Sequence, residues 1–278
     1  MINRIAFLGC GSMGEAILAG LLSGPLSPSS VIATVRRAER AEELAERHRI
    51  TAVANSEQAD ANSLAVAGAD IVVLGVKPAQ VVPLCREIAA SLSPETVLVS
   101  VAGAVAIEQI ENASPAGQPV VRTLPNTPLM VGRGVVGLSR GESVTETQAE
   151  LAREVFADSG VVLEVPESQM QAIGAISGSG PAYAFYLAEA MAAAARDFGL
   201  DHETAKTLAN ETVAGAGIML SQPGADAAAL RKAVTSPNGT TEQAIATFDA
   251  QGLPGVVLAG ARAAAARSDV ITAELNQA

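Results

Sequence analysis

Tryptophan is absent from this chain of 278 residues, and all aromatic side chains together make up only 3% of it. The core must therefore be built from alanine, valine, leucine and isoleucine. Alanine-rich helices can approach closely, which suits helix-on-helix association, including association between subunits. Cations are scarce: 18 Lys+Arg stand against 29 Asp+Glu, a net charge of −11, and no basic run occurs. Nucleic acid is therefore a poor partner, and any anionic ligand must be held locally by loops and a few arginines. Cysteine is limited to Cys10 and Cys85, far apart in unlike settings, which points to a reduced, cytosolic context rather than a disulfide. The two histidines, His48 and His202, lie in charged helical segments and read as surface residues. No cluster has metal-ligand spacing, so no metal is expected. No apolar stretch of spanning length escapes its glycines, prolines and charges, and no signal-type segment precedes the first strand. The expectation is a soluble cytoplasmic protein with neither a membrane nor a nucleic-acid partner.

What is present begins at the first strand. Ile5–Gly9 reads as a short buried strand, followed by Gly9-Cys10-Gly11-Ser12-Met13-Gly14 and a helix to about Leu22. Strand, glycine turn and helix in this order form a dinucleotide fingerprint. Gly9 makes the tight turn, Gly11 lets backbone approach a pyrophosphate, and Gly14 allows helix and strand to pack closely. Ser12 and Glu15 have capping-box spacing. The second strand, Val31–Val35, ends in Arg36-Arg37 with no acid in the stretch Ala33–Arg37. An acid there would hold the ribose 2′-hydroxyl of NAD, whereas arginine accommodates a 2′-phosphate, so the pattern favours NADP(H) over NAD(H).

Further short strands are expected at Ile50–Val53, Asp70–Val76, Thr96–Val101 and Val120–Leu124, with helices at Ala38–His48 and Ser56–Ala67. The apolar run Asp70–Val76 is of the parallel-sheet kind. The strands end in Lys77-Pro78, Ala102-Gly103 and Pro125-Asn126-Thr127-Pro128, small, rigid or polar residues on the sheet edge where ligands bind. Ala102 and Gly103 would let a flat ring come close. Asn126 either hydrogen-bonds a carboxamide or makes an Asx turn between prolines. Lys77 is either a site residue or a surface lysine. Val135–Leu138 and Val161–Val165 read as edge strands around a helix at Thr145–Asp158.

After Pro166 only helical patterns follow, which sets domains of 1–166 and 167–278: an α/β Rossmann-type dinucleotide-binding domain, then an all-α domain. Helices are expected at Gln169–Ser177, Ala182–Phe198, His202–Leu220, Ala225–Val234, Thr241–Gln251 and Val256–Leu275. The segment Ala182–Phe198 is apolar nearly all round and should be buried, as the core of a dimer. Between two of these helices lies Ser236-Pro237-Asn238-Gly239-Thr240-Thr241. Thr240 and Gln243 have capping-box spacing, and a helix start carrying three hydroxyls can hold an anion; an ordinary capped turn would look the same.

The chemistry available is narrow. A nucleotide-dependent alcohol dehydrogenase needs a His or Lys for the hydroxyl proton, and the helical half offers only Lys206 and Lys232, outside any glycine-lined motif. A cyclic imine needs less, because once protonated it is already electrophilic. Hydride transfer then requires positioning, a hydroxyl beside the nitrogen and a cradle for a carboxylate.

Gly9–Gly14, Val76-Lys77-Pro78, Val121–Pro128, Ser177-Gly178-Ser179-Gly180-Pro181-Ala182-Tyr183 and Val234–Thr241 together resemble pyrroline-5-carboxylate reductase along essentially the whole chain. The resemblance implies an oxidoreductase of proline biosynthesis, reducing 1-pyrroline-5-carboxylate to L-proline with NAD(P)H. It also implies a helical domain that interlocks in a homodimer, with dimers assembling into rings. It places Thr241 beside the substrate nitrogen, and Ser236, Gly239 and Thr240 around its carboxylate. It assigns cofactor contacts to Val76, Lys77, Pro78, Val101, Asn126 and Thr127, with Asn55 as an adenosine contact, beside the fingerprint residues Gly9, Gly11, Ser12, Met13 and Gly14. Three departures stand out: Asn238 where the family usually has glycine, Ala102-Gly103-Ala104 in place of Ala-Ala-Gly, and Leu124 where Met is common. Two other readings are a 3-hydroxyacid dehydrogenase, which would need a lysine absent from Ala182–Phe198, and a non-catalytic NADP(H)-binding regulator, which would have lost the hydroxyls of Ser236, Thr240 and Thr241.

Overall fold

The computed structural model of the chain describes residues 2–276. Among the described residues, eight strands form one sheet: β1 (Ile5–Leu8), β2 (Val31–Val35), β3 (Thr51–Ala54), β4 (Ile71–Leu74), β5 (Val97–Ser100), β6 (Val120–Pro125), β7 (Gly134–Arg140) and β8 (Gly160–Glu164). Their order is β3-β2-β1-β4-β5-β6-β7-β8. Pairing is parallel from β3 through to β6, antiparallel between β6 and β7, and parallel again between β7 and β8. Helices α1 (Ser12–Ser23), α2 (Ala38–His48), α3 (Ala61–Val66), α4 (Pro78–Ile88), α5 (Ile107–Glu111) and α6 (Glu146–Glu154) connect the strands, and α7 (Met170–Ile173) runs on into a π turn at Gly174–Gly178.

The period of two along each strand explains the two cores. Ile5, Phe7, Ile71, Val73, Val97 and Val99 share one face with Ile17, Leu18, Leu44 and Phe156. Ala6, Leu8, Val72, Leu74 and Leu98 share the other with Val66, Val81, Leu84, Ile88 and Ile110. Strands β1, β4 and β5 are buried at every position, as a sheet covered on both faces requires. Each large apolar side chain buried there contributes about 1.5–3 kcal/mol. The winding reverses between β1 and its neighbours β2 and β4, so a crevice opens at the carboxyl ends of these strands.

Several details differ from the sequence reading. Of the two strands expected at an edge, β7 is interior, hydrogen-bonded on both sides, and only β8 is an edge. Helices α4 and α5 were not anticipated. Pro78 starts α4 at a position where its missing N–H costs nothing, but Pro83 lies inside the helix and breaks its pattern. The expected helix at Ser56–Ala67 shrinks to Ala61–Val66. Ser12 is the first helical residue of α1 rather than its cap; the N-cap is Gly11, which has no side chain to offer, and Glu15 is engaged with Arg40. His48 is not a surface residue: its side chain is only 12% exposed and its Nε2 lies 3.0 Å from Glu15.

Compactness divides the chain into Met1–Gly178 together with the residues from Ala264 onward, and a second unit, Ser179–Ala263. The second unit comprises α8 (Gly180–Asp197), α9 (His202–Leu220), α10 (Ala227–Ala233), α11 (Thr240–Ala250) and the first part of α12 (Leu253–Asn276). Helices α8 and α9 pack together, burying Ala188, Ala205 and Ala209. Helix α8, expected to form the core of a dimer, is not buried within the single chain. Phe185 is 69% and Tyr186 72% exposed, and Leu208, Ile218, Phe248 and Val256 also face outward. Apolar surface on this scale marks an association face, so its burial requires another molecule. No single helix among the described residues is long and apolar enough to cross a membrane; the bent pair Thr240–Ala250 and Leu253–Glu274 meets length and composition only across a 51° break.

Candidate functional site

At the carboxyl end of the sheet the chain turns from β1 into α1 through Gly9, whose φ of +76° suits glycine alone. A Cβ there would stand 2.5 Å from Val76 Cγ1, so the turn also depends on its lack of side chain. The N–H groups of Gly9 and Cys10 both donate to the Thr34 carbonyl, which fixes the turn against β2. A Cβ on Gly14 would lie 3.4 Å from Cys10 Sγ, an ordinary contact, so the close helix–strand packing expected of Gly14 does not require a glycine there. On Gly11 the nearest neighbour would be the Gly9 carbonyl at 4.0 Å, which leaves that side open.

The opening belongs to a cleft of about 830 Å³. Of the residues expected from the sequence, Gly9, Gly11, Ser12, Arg36, Arg37, Asn55, Val76 and Lys77 line it. Gly14 and Met13 lie beneath it, Gly14 buried and Met13 packed on the core. Pro78 is the first residue of α4, with Lys77 as its N-cap. Arg36 and Arg37 have no side-chain partner among the described residues. The uncapped start of α1, the open Gly11 and the two uncompensated guanidiniums together fit a dinucleotide bearing an extra phosphate.

Val101, Ala102, Gly103, Asn126 and Thr127 lie outside the lining of this cleft, at the ends of β5 and β6. The Ala102 N–H donates to Ser100 Oγ at 3.3 Å. Ala104, where the resembling family has glycine, adopts φ +65°. That conformation costs a non-glycine residue about 1–2 kcal/mol, more than the about 0.8 kcal/mol gained by burying its methyl. Ala104→Gly is therefore expected to stabilise the fold by about 0.5–1 kcal/mol, read as a rise of about 2 °C in the thermal midpoint at fixed protein concentration; a fall would show that the methyl dominates. Asn126 is taken up internally. Its amide donates to the Ser177 carbonyl at 3.1 Å and to Ser177 Oγ at 3.2 Å, and its Oδ1 accepts from the Val135 N–H at 2.9 Å. It ties the β6 loop to β7 and to the π turn.

Residues that the sequence reading missed also line the cleft: Cys10, Glu15, Arg40, Asn62, Gln80, Pro83, Leu84 and Glu87. Thr34 Oγ1 donates to Asn62 Oδ1 at 2.6 Å, and Asn62 Nδ2 donates to Glu87 Oε1 at 2.9 Å. These partners are 28 and 25 residues apart, a separation that leaves no local signal. Burial raises the Cys10 thiol to about 12, with nearby Arg40 opposing, so Cys10 is a packing residue rather than a nucleophile. Arg40 did carry a signal: a cation in the first turn of α2 opposes the helix dipole and calls for a nearby anion.

In the helical unit the loop before α11 is built by its own backbone. Asn238 takes φ +57°, a region asparagine tolerates, and stands in for the usual glycine. The Gly239 N–H donates to the Ser236 carbonyl at 3.0 Å, and the Asn238 N–H to Glu242 Oε2 at 2.8 Å. The expected Thr240–Gln243 capping box is thus replaced: Gly239 is the N-cap, and Glu242 reaches back to Asn238. Gly239 contributes space rather than a donor, since a Cβ there would meet the Ser236 carbonyl at 3.0 Å. The first N–H groups of α11, at Thr240 and Thr241, are left for an outside acceptor. The hydroxyls of Ser236, Thr240 and Thr241 have no partner among the described residues.

Comparison with known proteins finds two matching family models. A family model described as pyrroline-5-carboxylate reductase dimerisation matches residues 167–271, and one described as NADP oxidoreductase, coenzyme F420-dependent, matches residues 4–103. The chain is similar to the pyrroline-5-carboxylate reductase of Corynebacterium melassecola, 38% identical over 271 residues, covering 96% of this chain and 98% of the other. It is equally similar to that of Pseudomonas aeruginosa, 38% identical over 275 residues, covering 99% and 98%. Among solved structures, a pyrroline-5-carboxylate reductase from Coxiella burnetii superposes with a TM-score of 0.89 at 34% identity, covering 98% of each chain. A pyrroline carboxylate reductase from Plasmodium falciparum, with NADP bound, shares the fold with a TM-score of 0.82 at 24% identity, covering 97% and 98%.

Proposed function

The chain belongs to the pyrroline-5-carboxylate reductase family, and on that premise we propose how its residues carry the reduction of the C=N bond of 1-pyrroline-5-carboxylate to L-proline. The observation that carries the reading is 38% identity to curated reductases over nearly the full length of both chains. The protein is an NAD(P)H-dependent oxidoreductase acting on the CH–NH group, with NADP(H) preferred and NAD(H) as the second cofactor. When bound, the reduced nicotinamide supplies the hydride.

The protein's own groups bind, orient and shield. Gly9, Gly11, Ser12 and the start of α1 receive the pyrophosphate, and Arg36 and Arg37 take the 2′-phosphate. Asn55 faces the adenosine end, and Val76 and Lys77 the ribose. Val101, Ala102, Gly103 and Thr127 offer small or polar surface at the ends of β5 and β6, toward the nicotinamide. Asn126, engaged with Ser177 and Val135, supports that edge rather than reaching a ligand. In the helical unit, Ser236 Oγ and the N–H groups of Thr240 and Thr241 receive the substrate carboxylate, while Gly239 leaves the room. The Thr241 hydroxyl hydrogen-bonds the ring nitrogen. The iminium nitrogen already carries its proton, so hydride addition at carbon yields the amine without a protein acid. This accounts for a site without histidine.

The dimerisation segment and the bare apolar faces of α8 and α9 support self-association. The homodimer is the basic unit in this reading, and dimers join into rings in a cytoplasmic enzyme. The function is tested by following NADPH oxidation with 1-pyrroline-5-carboxylate, then with NADH, then with a six-membered cyclic imine. Fast turnover is expected for the five-membered substrate with NADPH; no oxidation of either cofactor would overturn the reading.

A further inference from the structure

One carboxylate at the cleft is surrounded by cations. Glu15, on α1, accepts from Arg40 Nη2 at 2.5 Å and from Arg47 Nη1 at 2.6 Å, and lies 3.0 Å from His48 Nε2. The carboxylate is 16% exposed and Arg40 19%. Both line the cleft that contains Arg36 and Arg37. An anion beside a phosphate site would ordinarily repel the ligand. Burial alone would raise the Glu15 carboxyl, but the hydrogen bonds from Arg40, His48 and Arg47 outweigh it and bring it down to about 2. The acid therefore stays ionised, and the two arginines offset its charge.

Arg40 has capacity left. A guanidinium carries five N–H donors, and Arg40 directs one bond to Glu15 and one to Glu43 Oε2 at 3.0 Å. Its charge is felt at Cys10, in the glycine turn. Arg40 thus stands in α2 but acts back toward the turn, on the same side as the end of β2.

Resting on the NADP(H) reading of this cleft, we propose that Arg40, held in place by Glu15, is a third cation of the 2′-phosphate site alongside Arg36 and Arg37. Glu15 is a positioning residue: its three-way pairing fixes the Arg40 fork and offsets its own charge. Fork geometry suits phosphate oxygens, and a charge-assisted bond from a mostly buried, pre-placed arginine is worth more than one from a free surface cation.

The test uses 2′,5′-ADP and 5′-AMP as competitive inhibitors against NADPH, with the full-length enzyme. Arg40→Gln is expected to weaken 2′,5′-ADP about tenfold, equivalent to about 1.4 kcal/mol, and to leave 5′-AMP inhibition and the KM for NADH within about twofold; Arg40→Lys should fall between. The retained NADH activity reports that the variant is folded. In a Glu15→Gln background the further effect of Arg40→Gln should shrink below about twofold, the coupling expected of a pair acting together. Equal weakening of 2′,5′-ADP and 5′-AMP, or an undiminished effect in the Glu15→Gln background, overturns the proposal. If Arg36→Ala with Arg37→Ala selectively weakens 2′,5′-ADP and Arg40→Gln does not, this inference alone falls. If neither discriminates, the NADP(H) reading of the cleft falls with it.

Discussion

Thr241→Ala is expected to lower kcat on 1-pyrroline-5-carboxylate about 30-fold, while the affinity for NADPH, measured by fluorescence titration, stays within about twofold. The magnitude follows from losing one hydrogen bond to a charged group, about 2 kcal/mol, at the reacting nitrogen. The separation of effects follows from the fold: Thr241 stands in the second turn-forming position of α11, in the helical unit, whereas the cofactor cleft is lined only by residues of the sheet unit. Thr241→Ser keeps the hydroxyl and should recover most of the rate. Backbone change is a poor alternative explanation, because the loop is held by Gly239, Asn238 and Glu242 and not by the threonine side chain. Unchanged kcat in Thr241→Ala would remove the residue from the mechanism.

Replacing both Arg36 and Arg37 by alanine should raise the KM for NADPH by on the order of a hundredfold and leave that for NADH within about twofold. Two charge-assisted hydrogen bonds of about 1.5 kcal/mol each supply that ratio. The wild-type preference should also fall with salt, since exposed arginines are screened, whereas the variant should be nearly salt-independent. Both guanidiniums lie at the end of β2 without an acid in range to claim them, and a chain carrying 29 acids has kept this corner positive. Equal changes for the two cofactors would show that the arginines hold the adenosine end in general and not its phosphate.

Much of the sheet unit was legible because its signals are local. Ile5–Leu8 and Ile71–Leu74 are continuous apolar runs, and the glycines between Gly9 and Gly14 punctuate them at fixed spacing. Helix α4 was hidden by Pro83, and α5, five residues long, has too few turns to show a period. The partners of Glu15 escaped notice because Arg40 and His48 lie 25 and 33 residues away, and only the packing of α2 beside α1 brings them together. Asn126 offered two readings, and neither included Ser177, 51 residues on. The loop Ser236–Thr241 was found by its hydroxyls and by family resemblance. Its actual bracing by Glu242 could not be told from a Thr240–Gln243 box, because Glu242 and Gln243 are adjacent acceptors at the start of the same helix, each with the reach for a backbone N–H of the preceding turn.

The uncovered faces of α8 and α9 carry a thermodynamic consequence. A helical unit whose buried positions are mostly alanine, and whose Phe185, Tyr186 and Phe248 wait for another copy, does not own its stability. By mass action the folded state gains with every increase in protomer concentration, so the melting temperature becomes a property of the solution as much as of the chain. Dilution would then weaken the helical unit, with its Ser236–Thr241 loop, before the sheet unit. Diluted enzyme should lose turnover on the imine while its cleft still binds NADPH.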